Sequence, residues 1–134
     1  MNDRVIYYVG ISLDEASSRK LASHIQREGQ RPLSSDFHCT VMYSRSWFTY
    51  KAADSRLPLV LEPPFDTTLF GSICVLLFVP PAEVLQRHRG LLAAGARYSY
   101  PDYHPHISLC KSALIPPPRF PITLAAEYYG TWKE

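Results

Sequence analysis

The sequence predicts an α+β fold in a single domain spanning residues 1–134. The chain has 134 residues, the size of one domain and too few for two separate cores. Hydrophobic residues make up 46% and charged residues 19%, which suits a packed globular protein rather than a disordered one. Two helical segments each share their half of the chain with several strand-like segments, in the order β-α-β-β-β-β-α-β-β, and this mixing reads as α+β.

The elements follow from local patterning. Val5 to Leu13 is strand-like, with Val5, Tyr7, Val9, Ile11 and Leu13 apolar on one face and Ile6, Tyr8, Gly10 and Ser12 mixed on the other. A helix is predicted from about Asp14, an N-cap followed by Glu15, to about Glu28, with Gly29 as its stop. Ala16, Leu21 and Ile25 are expected to face inward, and Arg19, Lys20 and Arg27 outward. Phe37 to Tyr43 alternates again and leads into an aromatic stretch with Trp47, Phe48 and Tyr50; Leu57 to Glu62 and Phe65 to Phe70 read as short strands. Ile73 to Val79 is apolar throughout, as a central strand buried on both faces would be. Pro81 stands at the expected first position of a second helix, which runs to Ala94 before Gly95. A tyrosine-rich loop (Tyr98, Tyr100, Tyr103) precedes a strand from His106 to Cys110, and Ile122 to Tyr129 forms the last strand. Twelve prolines, about double the usual share, cluster between these segments and punctuate them.

Several functional classes are excluded. A net charge of +2 is too small for a histone-like binder of long nucleic acid, yet allows a compact anion at one focused site. The longest apolar run, Ile73 to Pro81, falls well short of the roughly 20 residues that span a bilayer, and no signal-peptide pattern follows Met1. Cys39, Cys74 and Cys110, odd in number and widely spaced, suggest reduced thiols in a cytoplasm. The expectation is a cytoplasmic protein without membrane attachment.

Two of the five histidines are followed at the second position by a hydroxyl residue: His38-Cys39-Thr40 and His106-Ile107-Ser108. Both triplets lie in strands whose other face is apolar, so alternation sets each imidazole and its hydroxyl on one face, about 6.5–7 Å apart. Two facing imidazoles are the minimum apparatus for metal-free phosphodiester cleavage, one removing a proton while the other supplies one. Thr40 and Ser108 can donate to non-bridging oxygens as charge develops. The plainer alternative is a pair of strand histidines on solvated faces. A rival chemistry is a three-histidine metal site from His38, His104 and His106, although no carboxylate stands beside His104 as an outer partner.

These residues carry a resemblance. The chain resembles the two-histidine (2H) phosphoesterase superfamily, defined by two His-x-Thr/Ser motifs bordered by hydrophobic residues. Pro105-His106-Ile107-Ser108-Leu109 matches the usual second motif, with Ser108 where threonine is commoner. Phe37 to Arg45, His88 to Leu92 and Gly95 to Tyr103 look like the phage anti-CBASS phosphodiesterase branch, which degrades the cyclic oligonucleotide messengers of bacterial antiphage signalling. The resemblance implies two antiparallel sheet-plus-helix lobes around a central cleft. It implies His38 and His106 as the acid–base pair, Thr40 and Ser108 as phosphate ligands, and no metal or other cofactor. The implied substrate is a cyclic di- or trinucleotide such as cGAMP, met in the bacterial host cytoplasm if the protein is phage-encoded. Two alternatives remain open: a 2H enzyme of RNA ends or 2′–5′ oligonucleotides, and a non-catalytic cyclic nucleotide binder.

The resemblance also implies an N-terminal tyrosine, a C-terminal glutamate and a C-terminal tryptophan near the nucleotides. Alternation favours Tyr8 over Tyr7, because Tyr8 shares its face with Gly10 and Ser12. Glu127 shares a face with Thr123 and Ala125 and is expected to point into the cleft; Trp132 is expected beyond the strand. A core ring, a solvated carboxylate and a packing indole are the competing readings. Tyr98, Tyr100, Tyr103, Trp47 and Phe48 lie in loops beside the motifs, where rings either stack on bases or cap the core.

Overall fold

The computed structural model describes residues 5–52 and 57–133. Among them lie β1 (Val5–Leu13), α1 (Glu15–Arg27), β2 (His38–Ser44), β3 (Leu59–Leu61), β4 (Asp66–Phe70), β5 (Ile73–Leu77), α2 (Ala82–Ala93), β6 (His106–Lys111) and β7 (Ile122–Lys133). The element order is the predicted one. Met1 to Arg4, in which no signal-peptide pattern is read from the sequence, lie outside the described residues.

The strands form one antiparallel sheet in the order β3-β7-β1-β2-β6-β5-β4. It is close to being two sheets, because β2 and β6 share a single ladder pair, Cys39 opposite Ile107. The two lobes are therefore β3-β7-β1-β2 and β6-β5-β4, continuous through that pair. Each contains a strand–helix–strand unit with neighbouring antiparallel strands, β1-α1-β2 and β5-α2-β6. The helices are exchanged: α1 lies against β6 and α2 against β2. This gives the molecule an approximate two-fold relation that its sequence does not repeat.

Asp14 caps α1 in extended backbone, its Oδ1 accepting from the Ser17 amide at 2.8 Å, and Gly29 ends the segment at a φ of 77°. Leu21 and Ile25 face inward as expected, but Ala16 is exposed and Ser17 takes the inward position. Counting back four residues from Leu21 along the buried stripe reaches position 17, not 16. The Ser17 hydroxyl is used there, accepting from the Thr123 amide of β7 at 2.9 Å. Pro81 is the N-cap of α2 rather than its first residue, so the helix starts one residue later than expected, and Val84, His88 and Leu91 form its buried stripe. β5 lies inside the sheet with Cys74, Val75 and Leu76 buried, but it ends at Leu77 and leaves Val79 exposed.

Val9, Ile11, Leu21, Ile25, Cys39, Met42, Leu76, Leu91, Ile107, Leu109 and Leu124 belong to one buried cluster. All three cysteines are buried and free, and desolvation pushes the Cys39 thiol up to about 12, so it packs as an uncharged group. No helix among the described residues is long and apolar enough to cross a membrane.

Candidate active site

Cys39 and Ile107, the pair that joins the lobes, are both fully buried, so the residues flanking them point to the opposite face. Extending that antiparallel register by one residue each way sets His38 opposite Ser108 and Thr40 opposite His106. The two motifs thus meet head to tail on one face, related by the two-fold of the fold.

Their local geometry repeats. His38 Nδ1 lies 3.3 Å from the Asp36 carbonyl, and His106 Nδ1 lies 2.7 Å from the His104 carbonyl. A carbonyl only accepts, so Nδ1 donates in both rings and each neutral imidazole keeps its lone pair on Nε2. A β-bulge follows each motif. Val9 pairs with Met42 and Gly10 with Thr40, leaving Val41 as the extra residue; Cys74 pairs with Cys110 and Val75 with Ser108, leaving Leu109. The Val41 carbonyl accepts from His88 Nδ1 at 2.7 Å, and the Leu109 carbonyl accepts from the Leu33 amide at 2.9 Å. Each bulge carbonyl is therefore held from outside the sheet.

Thr40, His106 and Ser108 line a cavity of about 570 Å³ whose walls include Tyr43, Phe70, Tyr98, Tyr100, Asp102 and His104. His38 lines a second hollow of about 350 Å³ with Ser12, Asp36 and Tyr128. The rings of Phe70 and His106 pack in a T-shaped pair with centroids 4.8 Å apart. Burial, chiefly, holds the His106 pKa below the usual imidazole value, and the charges of His104 and His38 push in the same direction.

Tyr8 lies beside the first motif. Its phenol oxygen is 2.9 Å from Thr40 Oγ1, and its ring lies 5.9 Å from His38, 5.7 Å from Tyr128 and 5.2 Å from Trp132. Burial pushes its pKa far up, so the phenol stays neutral. Tyr7, on the other face, packs edge-on against Phe48 at 6.3 Å. Trp132 is not beyond the strand: β7 runs on to Lys133, Trp132 pairs with Ile6, and its ring also meets Tyr43 at 5.9 Å.

Glu127 does not point into the cleft. Ser12 pairs with Ala126 and Leu13 with Leu124, so Ala125 is a bulge that reverses the alternation beyond it. Glu127 therefore lies opposite Ile11 on the core face, where Arg87 of α2 binds both its carboxylate oxygens at 2.8 and 2.9 Å and Tyr50 donates to it at 2.8 Å. The same bulge brings Tyr128 to the cleft face. Among the described residues, no three His, Cys, Asp or Glu side chains form a group able to hold a metal ion, so the three-histidine alternative is not assembled. Tyr98 and Tyr100 line the cleft, whereas Phe48 is buried on the other face and Trp47 is exposed.

Comparison with known proteins gives the chain its family. The model of the anti-CBASS protein Acb1 family matches residues 6–129. The chain belongs to that family. An anti-CBASS protein Acb1 of Vibrio phage KVP40 is 34% identical over 114 residues, covering 82% of this chain and 75% of the phage protein. One from Yersinia phage phiR1-RT is 28% identical over 94 residues, covering 67% and 61%. Among solved structures, E. coli LigT complexed with 3′-AMP is similar with a TM-score of 0.59 at 20% identity, covering 98% of both chains. A crystal structure of a phosphoesterase matches with a TM-score of 0.57 at 19% identity, covering 99% of this chain and 98% of the other. At such identity the likeness is one of fold, and it is the 2H phosphoesterase fold.

In this Acb1-family chain Tyr43, Tyr128 and His88 are not among the site residues expected from the sequence, although Tyr43 and His88 lie in the segments that carry the resemblance. Tyr43 and Tyr128 reach the cleft face only because bulges precede them, and simple alternation assigns them elsewhere. His88 had a readable signal: a histidine between Val84 and Leu91 in the buried stripe of an amphipathic helix must find a hydrogen-bond partner.

Proposed function

We propose that the chain is a metal-independent phosphodiesterase that hydrolyses 3′–5′ linkages of cyclic di- and trinucleotide messengers and so counteracts CBASS. Membership of the anti-CBASS family supports the biological target. The observation that carries the chemistry is the pair of Nδ1-anchored imidazoles, each with a hydroxyl on the same face, at the junction of the lobes.

His106 is the base. Its burial favours the neutral ring, the form that accepts a proton. Its Nε2 removes the proton of a ribose 2′-hydroxyl, and the oxygen attacks the adjacent phosphorus. The bond to the 5′-oxygen breaks, and His38 in its protonated form gives that oxygen its proton. Thr40 and Ser108 donate hydrogen bonds to the non-bridging oxygens, where negative charge grows. The first product is a 2′,3′-cyclic phosphate, which water then opens as the histidines exchange roles. Each proton transfer contributes about 10²–10⁴-fold to the rate. Trp132, exposed and packed against the buried Tyr8, supports the reading as an aromatic surface for a base beside the first motif.

The test is chromatography of products after incubation with a panel of cyclic di- and trinucleotides, their linear counterparts and 2′–5′ oligonucleotides. Ring opening of the cyclic compounds is expected, unaffected by EDTA and abolished in His38→Ala and His106→Ala, with deoxyribose analogues left intact. Loss of the cyclic compounds from solution without new products means a binder. Preference for linear or 2′–5′ compounds moves the reading to RNA-type substrates, and loss of activity on chelation ends the metal-free mechanism.

A further inference from the structure

β2 and β6 share one ladder pair, and farther along β2 the loop before β6 is joined to its end by the Ser44–Tyr98 bridge and by the Ser99 amide on the Tyr43 carbonyl, so the spacing of the two motifs depends on what lies between these contacts. Just beyond that pair, Tyr103, in the loop leading to β6, donates its hydroxyl to the Thr40 carbonyl of β2 at 2.7 Å. This bond crosses between the lobes in the step of β2 that follows their single shared pair. The ring of Tyr103 lies flat on His88, with centroids 3.9 Å apart and planes 6° apart. His88 in turn donates to the Val41 carbonyl. Two adjacent carbonyls of β2, one of them on the bulge, are thus held by two stacked side chains from the other half of the chain. Tyr98 packs edge-on against both rings, at 4.9 and 5.6 Å. On the other side of the two-fold, a backbone amide, that of Leu33, holds the matching bulge carbonyl of Leu109.

We infer that His88 and Tyr103 form a pin that fixes the spacing of the two half-sites, making both of them positioning residues. This rests on the proposed pairing of His38 with His106, and it extends that reading to what holds the pair together. A side chain can serve where a backbone amide serves in the other half because a bulge turns its carbonyl out of the ladder. Tyr103 is three residues before His106, and its acceptor, Thr40, is two after His38. Strain on the pin is therefore transmitted to both imidazoles.

Tyr103→Phe removes the bond to Thr40 and keeps the stack. Without that bond the spacing of the half-sites is expected to loosen, leaving His106 more hydrated and farther from His38. Each change favours the charged ring. In the intact variant chain, NMR titration of the His106 ring is expected to move up toward the ordinary imidazole value. With a cyclic dinucleotide substrate, kcat is expected to fall at least tenfold while KM changes less than threefold. His88→Phe, which keeps a ring but lacks the donor to Val41, is expected to shift the titration in the same direction. If both folded variants melt earlier but leave the His106 titration and kcat as in the parent, the two residues are a simple brace and the inference is overturned. The titration needs no substrate. Absence of turnover in the parent would count against the proposed function, and the pin would still be decided.

Discussion

An imidazole taken out of water loses more as a cation than as a neutral ring, and burial acts on His106 in this way. The sign of its effect on rate depends on its role. A base must be unprotonated, so its pKa sets the acid limb of the profile; a lowered value carries that limb below the ordinary imidazole value of about 6.5. The profile of kcat/KM against pH is therefore expected to be bell-shaped, with its acid limb below that point. Were His106 the acid, the alkaline limb would be the one displaced downward. A second residue-scale consequence comes from Gly10. A Cβ added there would lie 2.7 Å from two atoms of the Tyr8 side chain and 2.9 Å from the Tyr128 ring. Tyr128 is partly exposed and can move, but Tyr8 is buried and bonded to Thr40. Gly10→Ala is thus expected to lower kcat/KM by about tenfold or more, about 1.4 kcal/mol in transition-state binding, in a protein that still folds. Steady-state kinetics beside circular dichroism would check it.

At the scale of single elements, α1 depends on its first turn. Asp14 accepts from Ser17, and those hydrogen bonds hold its carboxyl below the usual range. A depressed carboxylate stabilises the fold above its unfolded value and ceases to do so as pH falls through the folded one. Asp14→Ala is expected to cost about 1 kcal/mol, as N-cap losses do, and the deficit relative to the parent should shrink on acidification. Urea melts at two pH values measure both. The cap was legible because its signal is local: a short acceptor side chain, an acidic first turn, then an apolar period. The strand cores were legible for the same reason, and so were both His-x-Thr/Ser motifs, which span three residues. What alternation could not read were faces beyond a bulge. One extra residue reverses the phase, and neither Val41 nor Ala125 differs in type from an ordinary strand residue. Hence Met42 turns to the core and Tyr43 to the cleft, and Glu127 and Tyr128 exchange the sides that alternation assigns them. The end of β7 was hidden differently: the strand expected to stop at Tyr129 is continued to Lys133 by pairing with Val5 to Tyr8, a partner far away in sequence.

Across the whole molecule, the back of the sheet carries a polar tie opposite the face that holds the two motifs. Glu127 of β7, Arg87 of α2 and Tyr50, which follows β2, meet there, and Arg87 also donates to the Lys51 carbonyl. The guanidinium lies 5.6 Å from the Tyr50 ring centroid, and Tyr50 stacks on Tyr129 at 4.5 Å. Three parts of the chain are fastened at one carboxylate. The carboxylate pairing raises the Arg87 pKa, while burial pushes the Tyr50 phenol up. Glu127→Gln preserves shape but replaces one acceptor oxygen with a donor facing the donors of Arg87. The loss is expected to be about 1–3 kcal/mol, lowering the melting temperature by several degrees for a chain of this size. Because Tyr8, Tyr128 and Trp132 lie on the opposite face, KM for a cyclic nucleotide should stay within about twofold of the parent, well under 1 kcal/mol of binding. A carboxylate that touched the nucleotide would behave the other way, raising KM several-fold at an unchanged melting temperature. Thermal melts and Michaelis kinetics on that one variant separate a tie behind the sheet from a ligand contact in front of it.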